Sequence, residues 1–133
     1  MKNLKRIICL MAAVCLLVVI PAMETEAATT YTYQGWSSRG KQYIAYTKNT
    51  VNWNVKKGKN VSWDGYQSKS GVCVRTYGLS KMRTSTGSLY RIVCKVGFLV
   101  GAEYNGHKLG YSIRFNDVMN LKPNGSYTIS WDN

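Results

Sequence analysis

The chain has 133 residues, with 18 Lys and Arg against 6 Asp and Glu, and its formal net charge is +12 at pH 7. Its length corresponds to one ordinary domain, and its 16 aromatic residues exclude a disordered basic tail, which would lack the side chains of a core. The excess of positive charge predicts an affinity for polyanions and anionic surfaces.

The first 27 residues have the three-part layout of a secretory signal peptide. A basic start at 2–6 precedes an uncharged apolar run at 7–20, and 25–27 offers a small-x-small cleavage site. The run has 14 residues, which is short for a membrane span of roughly 18–20 residues. We therefore expect 1–27 to be removed and 28–133 to form a single basic domain, secreted or associated with the cell wall. The alternative is an uncleaved membrane anchor.

Two cysteines, Cys73 and Cys94, remain after this cleavage. Cysteines of an exported chain usually pair, so we expect a Cys73–Cys94 disulfide. By the chain-entropy relation it would stabilise the fold by roughly 3 kcal/mol. Strict alternation would turn Cys73 outward unless a bulge lies near Gly71. Two cysteines and one His are too few for a typical zinc site, and no cofactor motif is present, so we predict no metal and no cofactor.

Short β-branched and aromatic runs alternate with turn residues along the whole of 28–133. Alternating segments lie at 31–33, 51–55 and 127–131, and no window shows a convincing helical period. The pattern predicts an all-β fold, a small antiparallel β-sandwich or barrel of about seven or eight strands.

The clearest element is a β-hairpin whose turn is the Asn-Gly dipeptide at 105–106. This dipeptide favours a two-residue type I′ turn, because both central residues need a positive φ. The turn sets the register, so Tyr104 would pair with His107 and Val96 with Phe115. One face of the hairpin is then apolar, and the other is small, polar or basic.

The hairpin also carries the one set of residues that resembles an acid–base site, namely Glu103, His107 and Arg114. The register argues against catalysis, because Glu103 would face Lys108 as an ordinary cross-strand ion pair. His107 and Arg114 are seven residues apart, which separates them by more than about 20 Å along a strand. We therefore favour a protein that is not an enzyme, and a small secreted nuclease or toxin using His107 is the alternative.

The basic residues that carry most information lie in the turn at 56–59 and on the outer face of the hairpin. Trp36 and Trp63 adjoin turn signals, which favours exposure, whereas Trp53 and Trp131 fall on apolar strand faces. We hypothesise that Trp36, Trp63 and the 56–59 turn form one binding patch; the alternative is a uniformly charged soluble surface. The candidate binding residues are Lys56, Lys57, Lys59, Trp36, Trp63, Arg91, Lys95, Lys108 and Arg114.

These features predict a secreted cationic binding protein. Its partners would be anionic polymers or lipids of a bacterial cell envelope, and it would act as a bacteriocin-like antimicrobial or a wall-associated factor. The mature chain should contain no transmembrane segment. A further alternative is a protein-binding inhibitor module with a secreted acidic partner.

Overall fold

A computed structural model describes residues 27–133, and this part of the chain contains seven β-strands and no helix. The predicted signal peptide, apart from its last residue, lies outside the described residues. The side chains at 102–104 and 108–109 also lie outside the description, and with them the predicted Glu103–Lys108 ion pair. The strands are β1 (Thr30–Lys41), β2 (Ala45–Lys56), β3 (Lys59–Ser70), β4 (Val74–Lys81), β5 (Tyr90–Tyr104), β6 (His107–Leu121) and β7 (Tyr127–Ser130).

The strands form two antiparallel sheets, one with the order β1-β2-β3 and the other with the order β4-β5-β6-β7. Within each sheet, every strand pairs with its neighbours in the chain, so both sheets are meanders. The all-β fold and the strand number agree with the sequence-based prediction. The sheets do not close into a barrel, so the barrel alternative of the prediction is excluded.

One hydrophobic core joins the inner faces of the two sheets. From the three-stranded sheet, β2 contributes Val51, Trp53 and Val55, as the alternation of apolar and polar residues predicts. The four-stranded sheet contributes side chains from β5 and β6 to the same core. These are Tyr90, Ile92, Cys94, Met119 and Leu121.

The β5–β6 hairpin has the predicted register, from the Tyr104–His107 pair through the Val96–Phe115 pair. Both residues of its turn have positive φ, 49° at Asn105 and 76° at Gly106, as a type I′ turn requires. The prediction is confirmed because turn chemistry and alternation are local signals that act in the same direction.

The predicted disulfide is wrong, since Cys73 and Cys94 are both free thiols in the structure. Cys94 pairs with Leu79, whereas the carbonyl of Cys73 accepts a hydrogen bond from the amide of Leu99 at 2.9 Å. The five residues from Cys94 to Leu99 along β5 span about 17 Å. A disulfide needs Cα atoms within roughly 7 Å, so the strand register keeps the two sulfurs apart.

Candidate functional site

The outer face of the four-stranded sheet presents three exposed cations around one aromatic ring. Arg75 and Arg114 both pair with Gly97, from opposite sides, and Lys95 lies two residues from Gly97 on the same face. The guanidinium carbon of Arg114 lies 4.6 Å from the centroid of the Tyr77 ring. We call Arg75, Tyr77, Lys95 and Arg114 the cationic face.

Gly97 lets the Tyr77 ring lie directly against the sheet. A Cβ at position 97 would lie only 2.7 Å from a ring carbon of Tyr77. Any larger residue there would therefore have to displace the ring. A small residue in the middle of β5 therefore creates the seat for the central aromatic side chain of the cationic face.

A β-bulge turns Tyr77 onto this face. The β4–β5 register shifts between Thr76 and Gly78, so Tyr77 is the extra residue of the bulge. Gly78 has φ 99°, and its amide donates a hydrogen bond of 2.6 Å to Oε1 of Gln67 on β3. A glycine inside a strand often marks a bulge, and Gly78 is such a residue. Gly71, near which a bulge was considered for Cys73, lies in the link between β3 and β4 and not at this register shift.

Two hollows in the surface flank Tyr77. One contains Cys73 and Ser112 beside Arg75, and the other lies between Lys95 and Arg114. Polar groups therefore surround the ring on both sides, and a bound anion could reach two cations at once.

The described carboxylates do not neutralise the cationic face. Among the described side chains the one salt bridge joins Arg39 to Asp117, and no described carboxylate lies within 4.0 Å of the three cations of the cationic face. Asp64 accepts a hydrogen bond from Asn52, and Asp132 accepts one from the backbone amide of Asn116. The field of these cations is therefore directed at solvent.

The hypothesised patch of Trp36, Trp63 and the 56–59 turn does not form. Trp36 lies on the outer face of the three-stranded sheet, whereas Trp63 pairs with Trp53 and packs half-buried against the core. Trp36 pairs with Thr50, and six residues of β2, about 20 Å, separate Thr50 from Lys56. Trp63 was expected to be exposed, but the β2–β3 register places its side chain on the inner face of the sheet.

The remaining predicted binding residues are spread over the surface. Lys56, Lys57 and Lys59 are exposed around the tight turn between β2 and β3. Arg91 lies half-buried opposite Asn120, on the same sheet face as the cationic face. The backbone of Lys108 lies in β6 beside the hairpin turn, and its side chain is outside the description.

Trp53 is fully buried as predicted, but Trp131 is 46% exposed, because it follows the end of β7.

His107 is exposed at the hairpin turn, and Arg114 lies seven residues along the same strand. Within the described residues, no group of three or more His, Cys, Asp or Glu side chains could hold a metal ion.

The two thiols have very different environments. Cys94 is fully buried, and this burial, reinforced by the charge of Asp117 and opposed by a hydrogen bond with Ser37, raises the pKa of the thiol to about 12. Cys73 is partly exposed beside the hollow next to Arg75. The structure thus provides one accessible thiol and one protected thiol.

We expect iodoacetamide at pH 8 to modify Cys73 and to leave Cys94 unmodified until the protein is unfolded, because the thiolate is the reactive form. Intact-mass spectrometry before and after denaturation measures the number of adducts, and Cys73→Ser should take up none in the native state. Rapid modification of both thiols in the native protein would contradict this environment for Cys94. A native mass two hydrogens lower, with no adduct, would instead show a disulfide.

No helix in residues 27–133 is long and apolar enough to cross a membrane. Comparisons with protein-family models, curated proteins and solved structures find no match to this chain. The chemistry of its surfaces is therefore the basis on which a function can be argued.

Proposed function

We propose that this chain is an exported cationic binding protein whose cationic face binds phosphate-bearing components of a cell envelope, in a wall-associated or antimicrobial role. The observation that carries the proposal is the cluster of Arg75, Lys95 and Arg114 around Tyr77, with no described carboxylate within salt-bridge distance. The net charge of +12 also exceeds what solubility requires.

The spacing of the cations suits a polyanion. Arg75 and Arg114 lie on strands on either side of β5, so their backbones are about 10 Å apart across the sheet. Arginine can bind phosphate through two parallel N–H donors. The contact with Tyr77 holds the Arg114 guanidinium in place, which lowers the entropy lost when an anion binds.

Affinity for polyphosphate and for phosphatidylglycerol vesicles tests the proposal. The triple variant Arg75→Gln/Lys95→Gln/Arg114→Gln should bind polyphosphate about 100-fold more weakly at low salt, since each cation near an anionic surface contributes about 1 kcal/mol. The slope of log affinity against log salt should fall by about two, because three fewer counterions are released.

The matched control is Lys56→Gln/Lys57→Gln/Lys59→Gln, which removes the same charge from the exposed turn between β2 and β3. It should lose far less affinity than the cationic-face variant. Equal losses in the two variants would show that net charge alone drives binding, and absence of any binding at low salt would refute the proposal.

The vesicle measurement addresses a second source of phosphate, the lipid headgroup. Large apolar side chains are exposed in the turn between β1 and β2 and in the link between β3 and β4, with Tyr43 85% exposed, Ile44 61% and Val72 96%. Exposed apolar residues of this kind can enter a membrane interface. Binding to anionic vesicles that is tighter than binding to polyphosphate, and that weakens in Ile44→Ser/Val72→Ser, would identify lipid as the partner.

A further inference from the structure

The outer face of the three-stranded sheet carries a row of side chains that hydrogen-bond to one another across all three strands. Nε2 of Gln34 on β1 donates to Oδ1 of Asn52 on β2 at 2.8 Å. Nδ2 of Asn52 donates in turn to Oδ1 of Asp64 on β3 at 2.7 Å. The three side chains are thereby held in one orientation in the absence of a ligand.

A second row runs parallel to the first. Oγ1 of Thr32 donates to Oδ1 of Asn54 at 2.6 Å, and Nδ2 of Asn54 donates to Oγ of Ser62 at 2.8 Å. Each Asn uses its carbonyl and one N–H within its row, so its second N–H is free to bond a ligand. We call these two rows the amide face; its residues are Thr32, Gln34, Asn52, Asn54, Ser62 and Asp64.

Two aromatic side chains lie beside the amide face. Trp36 and Tyr66 pair with Thr50 from opposite sides, in the row next to that of Gln34 and Asn52. Trp36 is 53% exposed and Tyr66 is 59% exposed, whereas Thr50 between them is only 4% exposed. The two rings therefore remain accessible while the residue between them is covered, and neither ring is a member of the core.

The geometry of this surface matches an extended sugar chain. Trp36 and Tyr66 are two strand spacings apart, about 10 Å, which is close to the length of a disaccharide. The Gln34–Asn52–Asp64 row runs parallel to them at about 7 Å, two residues along each strand. A chain stacked on both rings would therefore keep its hydroxyl groups within reach of fixed amide and carboxylate groups along its whole length.

We propose that this surface binds an extended, uncharged polysaccharide, which crosses the three strands and stacks on Trp36 and Tyr66. Sugar C–H groups pack against the electron-rich faces of aromatic rings, and the amide face supplies the paired donors and acceptors that hydroxyl groups need. Because the polar groups are already held by one another, little conformational entropy is lost on binding.

The charges of this surface separate it from the cationic face. The carboxylate of Asp64 lies in the row nearest the aromatic rings, and it disfavours a phosphate chain at this position. Nζ of Lys48 lies 5.5 Å from the Trp36 ring centroid, so a sugar would stack on the ring face away from this cation. The protein would thus use one sheet for an uncharged glycan and the other for an anion.

Cosedimentation with insoluble chitin, cellulose and peptidoglycan stripped of anionic polymers tests this proposal. High salt screens the cationic face, so binding that persists at high salt reports the uncharged site. We expect the protein to sediment with at least one of these glycans. Trp36→Ala and Tyr66→Ala should each lower the affinity by about tenfold or more, the usual effect of removing a stacking ring, and Trp36→Phe should retain most of it.

The matched control is Tyr111→Ala, since Tyr111 is an equally exposed tyrosine (64%) on the other sheet, and it should bind the glycan normally. The cationic-face triple variant should also retain glycan binding, and Trp36→Ala should retain polyphosphate binding. The two proposals can therefore be refuted independently of each other. Absence of binding to all three glycans at high salt would overturn the proposal, and so would equal losses in Trp36→Ala and Tyr111→Ala.

Discussion

Arg39→Ala should lower the free energy of unfolding by about 3–5 kcal/mol, the cost of leaving a buried charge without its partner. Nε and Nη2 of Arg39 donate to the two carboxylate oxygens of Asp117 at 2.6 and 2.7 Å, and Asp117 is fully buried. Nη2 also donates to the carbonyl of Asp132, and the guanidinium lies 4.0 Å from the Phe115 ring centroid. One side chain of β1 thus connects the three-stranded sheet to β6 and to the end of the chain.

Urea unfolding monitored by tryptophan fluorescence measures this effect. Arg39→Lys should fall between the wild type and Arg39→Ala, since lysine keeps the charge but cannot make both bonds. Arg39→Met/Asp117→Leu should be more stable than Arg39→Ala, because it leaves no buried carboxylate unpaired. A loss below about 0.5 kcal/mol in Arg39→Ala would place this arginine among ordinary surface residues and contradict the burial of its partner.

Trp53→Ala should also lower the free energy of unfolding by about 3–5 kcal/mol, the range for removing a large buried aromatic side chain. Trp53 is fully buried at the centre of the core, and its ring centroid lies 5.7 Å from that of Tyr33 and 6.2 Å from that of Tyr127. Its Nε1 donates to the carbonyl of Lys122 at 3.0 Å. The variant would leave a cavity and remove one of the two hydrogen bonds that the Lys122 carbonyl accepts, the other coming from the amide of Gly125 at 3.1 Å.

Two variants separate these contributions in the same urea measurement. Trp53→Phe fills most of the cavity but removes the hydrogen bond, so we expect a smaller loss than in Trp53→Ala. Trp36→Ala removes the same side chain from the surface, where it is 53% exposed, and should change stability by less than about 1 kcal/mol. Equal losses at positions 53 and 36 would contradict the assignment of the core.

The cationic face was partly predictable from the sequence. Lys95 and Arg114 were placed on one outer face because the hairpin register follows from the turn at 105–106. Arg75 and Tyr77 were not placed there, because the link between β4 and β5 has no turn signal that sets their register and the pairing contains a bulge. No local sequence pattern indicates which residue of β4 lies opposite Gly97. The Tyr77 ring at the centre of the cationic face was therefore not predicted.

The tryptophans illustrate the same difference between local and non-local signals. Trp53 was recognised as core because its own strand alternates apolar and polar residues. Trp63 was expected at the surface because it adjoins a turn signal, and nothing in the sequence indicates the β2–β3 register shift after which it lies opposite Trp53. The neighbourhood of Trp36 and Tyr66 was missed for a related reason, since they are neighbours only through two successive strand pairings with Thr50.

The sequence by itself determined the all-β class, the alternating faces of β2 and the register of the β5–β6 hairpin from its turn to the Val96–Phe115 pair, because period-two patterns and turn chemistry act over a few residues. The tertiary structure decided that Cys73 and Cys94 stay apart, and it decided which side chains share each outer face. The paired strands are neighbours in the chain, but register shifts in two of the pairings and the packing of two whole sheets around one core select those outcomes, and no pattern of a few residues specifies either.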